Sequence, residues 1–460
     1  MHVVVTGGGG FLGARLAREL LAAGSLEAAG GEARPLTRLT LIDQAPVPED
    51  LAADERVAAI RGDLGALLGP GGAGALGGAE VIFHLAAAVS GECEADFDLG
   101  LRANLRAAEA LLACCRAAGS RPVVVFASSV AVFGGSAEHP LPDLIEDHTL
   151  PVPQTSYGTQ KFMMEQLLAD YTRKGFLDGR AVRLMTVSVR PGRPNGAASG
   201  FLSGIIREPL AGLRATCPVN PGTEVALASP DKAIAALLCA ARSPAQAWGR
   251  SAVTMPALTL TVAEMVAALA RVAGPQVSAL IDWVPDPVAA GMFANWPARI
   301  RADRAAALGM APDPDFESVI RMHLAETRSG GAGLPALPAG ELGGLARLGP
   351  ACRVLATGEL GGHQAPQAQD LGVARLQDRL DHVHRGVHGG LRVTRDAVPQ
   401  EAAGQRPPEQ LRGDGQQVCG LLAGSGCRRG AARSAAGAPC GTARVRAGTR
   451  ERVGAAAAAR

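Results

Sequence analysis

The chain opens on an unbroken apolar run, His2-Val-Val-Val-Thr6, which has the length and branching of a short strand buried on both faces. From Phe11 to Ala23 apolar side chains then recur at helical spacing (Phe11, Leu12, Leu16, Leu20, Leu21), so a helix follows the strand across Gly7 to Gly10. Strand-like runs return at Leu39–Asp43, Arg56–Arg61, Glu80–His84, Pro122–Ser128 and Ala181–Arg190, and helix-like segments lie between them, notably Leu101–Ala118 and Tyr157–Lys174. Gly24–Pro35 reads as a lengthened helix end and loop. This alternation predicts an α/β fold, a doubly wound parallel sheet with right-handed crossovers. After Pro191 the pattern loosens into loops and helices, with an amphipathic segment at Thr261–Ala273 and aromatic anchors at Trp283 and Trp296. The expected division is a nucleotide-binding domain over 1–190, to which part of the later chain returns, a smaller lobe over 191–330, and an extension over 331–460. No internal repeat is found.

Composition changes the picture at the carboxyl end. The last aromatic residue is Phe316 and the last isoleucine Ile320, whereas residues 331–460 carry 17 Arg, no Lys and 10 acidic residues. Of the formal net charge of +2, that segment contributes +7 and leaves the remainder at −5. Rich in Gly, Ala, Pro, Arg and Gln without periodicity, it is expected to be disordered or a non-native extension, such as an out-of-frame read-through of a GC-rich gene. The weakly acidic body gives no basic face for nucleic acid. No run is long and apolar enough for a bilayer, and no signal peptide is expected before His2, so the reading is a cytoplasmic protein with no membrane partner. The nine Cys lack metal-ligand spacing and are expected as free thiols. His84, His139 and His148 are not spaced as ligands either, His84 reads as structural, and no metal is expected.

Gly8, Gly10 and Gly13 satisfy G-x-G-x-x-G, and the same loop reads Thr6-Gly7-x-x-Gly10-x-x-Gly13. Glycines there permit a tight strand-to-helix turn and let a pyrophosphate approach backbone N–H groups at the positive end of a helix. A glycine run means little in a chain with 59 Gly, but a strand before it and an amphipathic helix after it make it a dinucleotide site. Asp43 ends the second long strand, where a carboxylate accepts hydrogen bonds from the adenosine ribose and repels the extra phosphate of NADP, so NAD is the expected cofactor. Gly62-Asp63-Leu64 fits a loop beside the adenine.

Tyr157-Gly-Thr-Gln-Lys161 puts a phenol and an ammonium four residues apart on one helix face. A free tyrosine titrates near pH ~10, and reaching neutrality requires about 4 kcal/mol of preferential phenolate stabilisation, of the sign that a nearby cation supplies. Lys161 is one of three Lys among 45 basic residues, which singles it out. Ser128 and Ser129 follow an apolar strand at the carboxyl end of the sheet, where ligands of this architecture sit, and one of them is expected to face a substrate hydroxyl.

Taken together, Thr6-Gly-x-x-Gly-x-x-Gly13, His84-Leu-Ala-Ala87, Ser128-Ser-x-x-Val132-Phe-Gly134, Tyr157-x-x-x-Lys161 and Arg190-Pro-Gly-x-Pro-Asn195 resemble the extended short-chain dehydrogenases, over residues 1 to about 325. Ala87-Ala-Val-Ser-Gly-Glu92, Ala95-Asp-Phe-Asp-Leu-Gly100, Pro153-Gln-Thr-Ser-Tyr157, Gly204-Ile-Ile-Arg-Glu-Pro-Leu-Ala-Gly212 and Trp296-Pro-Ala-Arg299 are similar, more narrowly, to D-erythronate dehydrogenases. The resemblance implies catalysis by Ser129, Tyr157 and Lys161: Ser129 holds the substrate hydroxyl, Tyr157 takes its proton as phenolate, Lys161 tunes the base, and the carbon-bound hydrogen passes as hydride to the nicotinamide. It implies cofactor contacts from Gly7, Gly10, Phe11, Leu12, Gly13, Asp43, Asp63, Leu64, Leu85, Ala86, Ala87, Asn104, Tyr157, Lys161 and Pro191. Substrate contacts are expected from Ser90, Ser129, Tyr157 and Asn195, with Arg207 and Arg299 as candidate partners of a carboxylate. The implied partner is a small sugar acid, oxidised at C2, with a homodimer as the candidate assembly. The rival readings are a sugar-nucleotide epimerase or dehydratase and a non-catalytic NAD-sensing regulator.

A segment without aromatics or isoleucine cannot offset the roughly 1–2 kcal/mol per residue of backbone ordering entropy. A chain ending at Gly330 is therefore expected to fold and to bind NAD as the full chain does, and calorimetry of the isolated 331–460 peptide to give no cooperative transition. A cooperative melt of that peptide would reveal a domain there.

Overall fold

The computed structural model describes residues 1–69, 74, 76–192 and 197–329; Asn195 and the 331–460 segment lie outside the described residues. In chain order the strands are β1 (His2–Thr6), β2 (Ser25–Glu27), β3 (Ala33–Pro35), β4 (Arg38–Asp43), β5 (Val57–Arg61), β6 (Val81–His84) and β7 (Val123–Ser129). They continue with β8 (Asp178–Leu184), β9 (Thr186–Val187), β10 (Ala215–Cys217), β11 (Glu224–Ala228), β12 (Val253–Thr254), β13 (Leu258–Thr261) and β14 (Ile281–Trp283). The principal helices are α1 (Phe11–Ala23), α2 (Ala107–Ala118), α3 (Ser156–Arg173), α4 (Phe201–Leu210), α5 (Pro230–Arg242), α6 (Val262–Ala273) and α7 (Phe316–Ser329).

Seven strands form one parallel sheet in the order β12-β8-β7-β6-β1-β4-β5. Alternation of side chains along each strand divides the core between its two faces. Val3, Val5, Leu39, Leu41, Val81 and Phe83 pack with Leu16 and Leu20 of α1 and with Ile234 and Leu237 of α5. Their neighbours Val4, Ile42, Ile82, Val124 and Phe126 pack with Leu111 and Leu112 of α2 and with Met164 and Leu168 of α3. The result is three layers, helix on sheet on helix, as the near-continuous apolar strands require. Strand order reverses at β1, flanked by β4 and β6, and the crevice beyond the carboxyl ends of these strands is the ligand position of such folds.

Four local differences separate the structure from the sequence reading. Gly24 closes α1 in the left-handed region (φ 63°), and Ser25–Pro35 then forms the β2–β3 hairpin rather than a helix extension, tied to the end of α5 through Ala29 N to Ala241 O (2.9 Å). The expected Ala181–Arg190 strand is two strands: β8 runs in register with β7 as far as Leu184, after which Thr186 and Val187 pair with β11 in a separate three-stranded sheet, β13-β11-β9. The Leu101–Ala118 helix begins with a π turn, Leu101–Arg106, that holds Asn104 in its interior. Trp283 ends β14 and is exposed, so only Trp296 packs against the main core. A further apolar cluster unites Leu202, Ile205 and Ile206 of α4 with Met265 and Leu269 of α6 and Val319 and Ile320 of α7. Among the described residues no helix is long and apolar enough to cross a membrane, and no group of three or more His, Cys, Asp or Glu is placed to hold a metal ion.

One buried polar cluster fixes α3 to the sheet. Glu165 of α3 accepts two hydrogen bonds from Arg183 of β8, Nε at 2.9 Å and a terminal nitrogen at 2.7 Å, and a third from Ser128 Oγ of β7 at 2.5 Å. The glutamate side chain is 1% exposed and the arginine 8%. The Arg183 guanidinium also lies 4.8 Å from the centre of the Phe133 ring. Removing one member of such a pair leaves a buried charge uncompensated and costs about 3–5 kcal/mol, whereas replacing both members with apolar groups can be neutral. Arg183→Met is therefore expected to lower unfolding stability by about 3–5 kcal/mol in urea melts. The double variant Arg183→Met/Glu165→Met should recover most of the loss, and a double variant no more stable than the single one would contradict this account.

Candidate active site

The turn from β1 into α1 is set by backbone crowding. Gly7 has a φ of +78°, and a Cβ there would stand 2.8 Å from the Ala86 amide nitrogen; a Cβ on Gly13 would stand 2.0 Å from the Gly7 carbonyl oxygen. Neither position admits a side chain, so the loop lies flat against the start of the segment after β6. The 13-residue helix α1 has no side-chain cap and no acidic residue in its first turn. Its leading N–H groups are thus available to an anion. Gly7, Gly10, Phe11, Leu12 and Gly13 line one end of a cavity of about 660 Å³ that runs along the carboxyl edge of the sheet.

Asp43 and Asp63 lie at this end. The Asp43 carboxylate accepts from the amides of Gly9 (3.0 Å), Gly10 (3.1 Å) and Ala45 (2.9 Å), so it braces the glycine loop. Asp63 caps the short Leu64–Leu67 helix through Ala66 N (2.9 Å) and accepts from Gln44 Nε2 (3.0 Å). Leu64, Leu85, Ala86 and Ala87 complete this half of the wall. A helix end without an acidic residue, a flat glycine turn and a carboxylate at the end of the second long strand form a set of donors and acceptors that fits a dinucleotide.

The other half carries the chemistry. Thr155 starts α3 by accepting from Gly158 N (3.0 Å), which places Tyr157 in the first helical turn. Gly158 is obligatory there, because a Cβ would lie 2.1 Å from the Ala131 carbonyl oxygen. This close approach sets Tyr157 on the same cavity wall as Ser129, whose hydroxyl accepts from Ala131 N at 3.1 Å. Burial pushes the Tyr157 hydroxyl above its ordinary value, while the Ser129 hydrogen bond and the charge of Arg190 pull the other way. Lys161 lies one turn on, its ammonium 5.5 Å from the Tyr157 ring centre and 4.8 Å from that of Phe126. It donates to Ala127 O at 2.8 Å, and burial pulls it down to about 8, against the charges of Cys93 and Glu165. Arg190 adds a second positive charge that favours the phenolate.

Ser129, Tyr157, Lys161 and Ser90 all line the cavity. Ser90 Oγ also accepts from Ala198 N (3.2 Å), joining the segment after β6 to the start of the second lobe. Four expected contacts are placed elsewhere. Asn104 is buried and holds Ala88 through both N–H and C=O (2.7 and 3.2 Å) and Gln160 (2.9 Å), so it fixes the cavity wall instead of lining it. Pro191 is exposed and outside the lining. Arg299, exposed, is paired with Glu224 (2.8 Å), and Arg207 is paired with Glu208 (2.5 Å) while donating to the Arg190 carbonyl (2.7 Å). Both arginines are engaged with the protein and neither lines the cavity. Sequence reasoning passed over Arg190, Thr186, Ser199 and Trp296 as lining residues. The available signal was Arg190, a charge closing an apolar strand run at the carboxyl edge of the sheet. His84 is buried and bonded to Thr6 Oγ1 (2.7 Å), and desolvation lowers it to about 3, which fits a neutral structural residue.

Comparison with known proteins places this geometry in context. Residues 3–245 match the model of the NAD dependent epimerase/dehydratase family. The chain is 48% identical over 327 residues to a D-erythronate dehydrogenase of Cupriavidus necator, covering 70% of this chain and 98% of that one. It is 40% identical over 331 residues to a D-erythronate dehydrogenase of Haemophilus influenzae, covering 70% and 99%. Among solved structures, a nucleoside-diphosphate-sugar epimerase from Agrobacterium tumefaciens superposes with a TM-score of 0.65 at 40% identity, covering 72% of this chain and 95% of that one. The parallel sheet, the glycine turn and the Ser-Tyr-Lys cluster thus belong to an enzyme of the NAD dependent epimerase/dehydratase family, with NAD as its cofactor.

Proposed function

We propose that the protein is a dehydrogenase that oxidises the C2 hydroxyl of a four-carbon sugar acid, D-erythronate to 2-dehydro-D-erythronate, with Tyr157 as the base. The observation that carries the reading is the placing of Ser129 and Tyr157 together on the wall of the cavity, with Lys161 one helical turn away and its ammonium 5.5 Å from the Tyr157 ring centre. The names of the two curated relatives, each covered almost throughout, supply the substrate. In this reading Gly7, Gly10, Phe11, Leu12, Gly13, Asp43, Asp63 and Leu64 hold the dinucleotide, and Leu85, Ala86 and Ala87 line the wall toward Tyr157. NAD, when bound, supplies a hydride acceptor and a positive charge. Ser129 orients the substrate hydroxyl and Tyr157 accepts its proton. Lys161, held by Ala127 O, keeps an ammonium within reach of the phenol and the cofactor ribose. The enzyme is placed in the cytoplasm, and a homodimer is its proposed assembly.

Four-carbon sugar acids and UDP-sugars, offered separately with NAD, separate this reading from nucleotide-sugar epimerisation. The expected outcome is NADH formation with D-erythronate and none with UDP-glucose; activity confined to UDP-sugars would retain the family and overturn the substrate. Tyr157→Phe should bind NAD with unchanged affinity and lose at least about 10²-fold in turnover. Because burial raises the Tyr157 hydroxyl, wild-type kcat/KM for oxidation should still be rising with pH on the alkaline side of neutrality, as the base loses its proton, and a profile already flat by neutral pH would contradict Tyr157 as that base.

Asp43 governs cofactor choice in the same reading. Since it also accepts three backbone N–H groups, Asp43→Asn is the informative change, for it removes the charge and keeps the shape. The NAD-over-NADP preference should narrow in kcat/KM, and a wild-type preference for NADP would refute the assignment.

A further inference from the structure

The wall near Tyr157 contains two cations among the described residues, Lys161 and Arg190. Lys161 is committed to Ala127 O. Arg190 is held differently. Its amide donates to Ser203 Oγ (3.0 Å), its carbonyl accepts from Arg207 (2.7 Å), and its Nε donates to the Val187 carbonyl (3.1 Å), so its position is braced from three directions. Burial works against its charge, and the nearest compensation is the Tyr157 hydroxyl. Three other buried or half-buried arginines hold a carboxylate: Arg180 with Asp178, Arg183 with Glu165, Arg207 with Glu208. No carboxylate among the described residues pairs with Arg190. A rigid, desolvated guanidinium on a cavity wall is a strong receptor for an anion, and its planar fork matches a carboxylate.

Substrate chemistry then fixes what that anion must be. In a 2-hydroxy acid the carboxylate and the reacting hydroxyl are on adjacent carbons, so whatever holds the carboxylate must stand next to the base. Arg190 meets that requirement, since it lines the same cavity as Ser129 and Tyr157, and its charge favours the Tyr157 phenolate. Arg207 and Arg299 do not line the cavity. We propose that Arg190 is the specificity-determining residue that binds the carboxylate of a 2-hydroxy acid and so presents its C2 hydroxyl to Ser129 and Tyr157. The proposal rests on the oxidative reading above and adds the requirement for an acid. A neutral polyol of equal length lacks the anchor.

The test compares D-erythronate with its neutral amide, D-erythronamide, which keeps every hydroxyl. Binding of each to the wild-type protein–NADH complex is measured by calorimetry, and turnover with NAD is measured in parallel, for wild type, Arg190→Gln and Arg190→Lys. Wild type should bind the acid more tightly than the amide by roughly 10- to 100-fold, the scale of a hydrogen-bonded charge pair. Arg190→Gln should abolish that preference while its NADH affinity stays within about twofold, and Arg190→Lys should restore part of it, since an ammonium supplies the charge without the fork. If wild type binds amide and acid equally, the proposal fails whatever the variants do. If Arg190→Gln or Arg190→Lys binds NADH and retains the full acid preference, it fails as well. A wild-type protein that binds the acid selectively through Arg190 but forms no NADH from it would instead overturn the oxidative reading and leave the anchor standing.

Discussion

Glu165 is the point through which α3 is held to the sheet. Arg183 comes from β8 and Ser128 from β7, and all three side chains meet where no water compensates the charges. Lys161 lies one helical turn before Glu165 and Tyr157 one turn before that, so locking Glu165 sets the rotation and height of the helix carrying the phenol and the ammonium. Ser128 belongs to the same strand end as Ser129. The residue next to the reacting hydroxyl position is thereby tied to the same carboxylate. The closest contact on that helix, Gly158 against the Ala131 carbonyl, tolerates no side chain, which makes the lock and the close approach mutually dependent.

Much of this was legible in the sequence because its causes are local. A strand buried on both faces must be apolar throughout, and a pyrophosphate turn must be glycine where a Cβ would strike backbone, as at Gly7 and Gly13. The Tyr157–Lys161 spacing follows from the helical repeat alone. What stayed hidden depends on which segments meet. The Glu165–Arg183 pair joins residues separated by 18 positions and a strand boundary. The Ala181–Arg190 run changes sheets at Met185 because β8 ends where its register with β7 ends, an event that composition does not mark. The roles of Arg207 and Arg299 could not be read either, since an arginine satisfied by Glu208 or Glu224 looks in sequence like one waiting for a ligand.

Charge is allocated along the cavity with corresponding economy. Asp43 and Asp63 stand at the glycine-loop end, and Lys161 and Arg190 at the other. The Asp43 carboxylate at the first end orders the loop through three amides. At the second end the charge of Arg190 favours ionisation of the phenol. Asn104 contributes without entering the cavity: by bonding both polar groups of Ala88 it fixes the wall between the two ends.

The ionisation state of Tyr157 shows why these charges must act together. Burial outweighs the combined help of Ser129 and Arg190, so the Tyr157 hydroxyl stands above its ordinary value and keeps its proton at neutral pH. Burial likewise draws Lys161 down to about 8, and its ammonium is retained at neutral pH with the assistance of Glu165. The site therefore holds a weak base at rest, which protects the chain from an uncompensated phenolate in a desolvated wall. A positive charge delivered beside the ring shifts that balance, and because the surroundings are poorly solvated, the shift per unit charge is larger than it would be in water. The same desolvation that disfavours the phenolate in the empty site is what lets a bound cation create it.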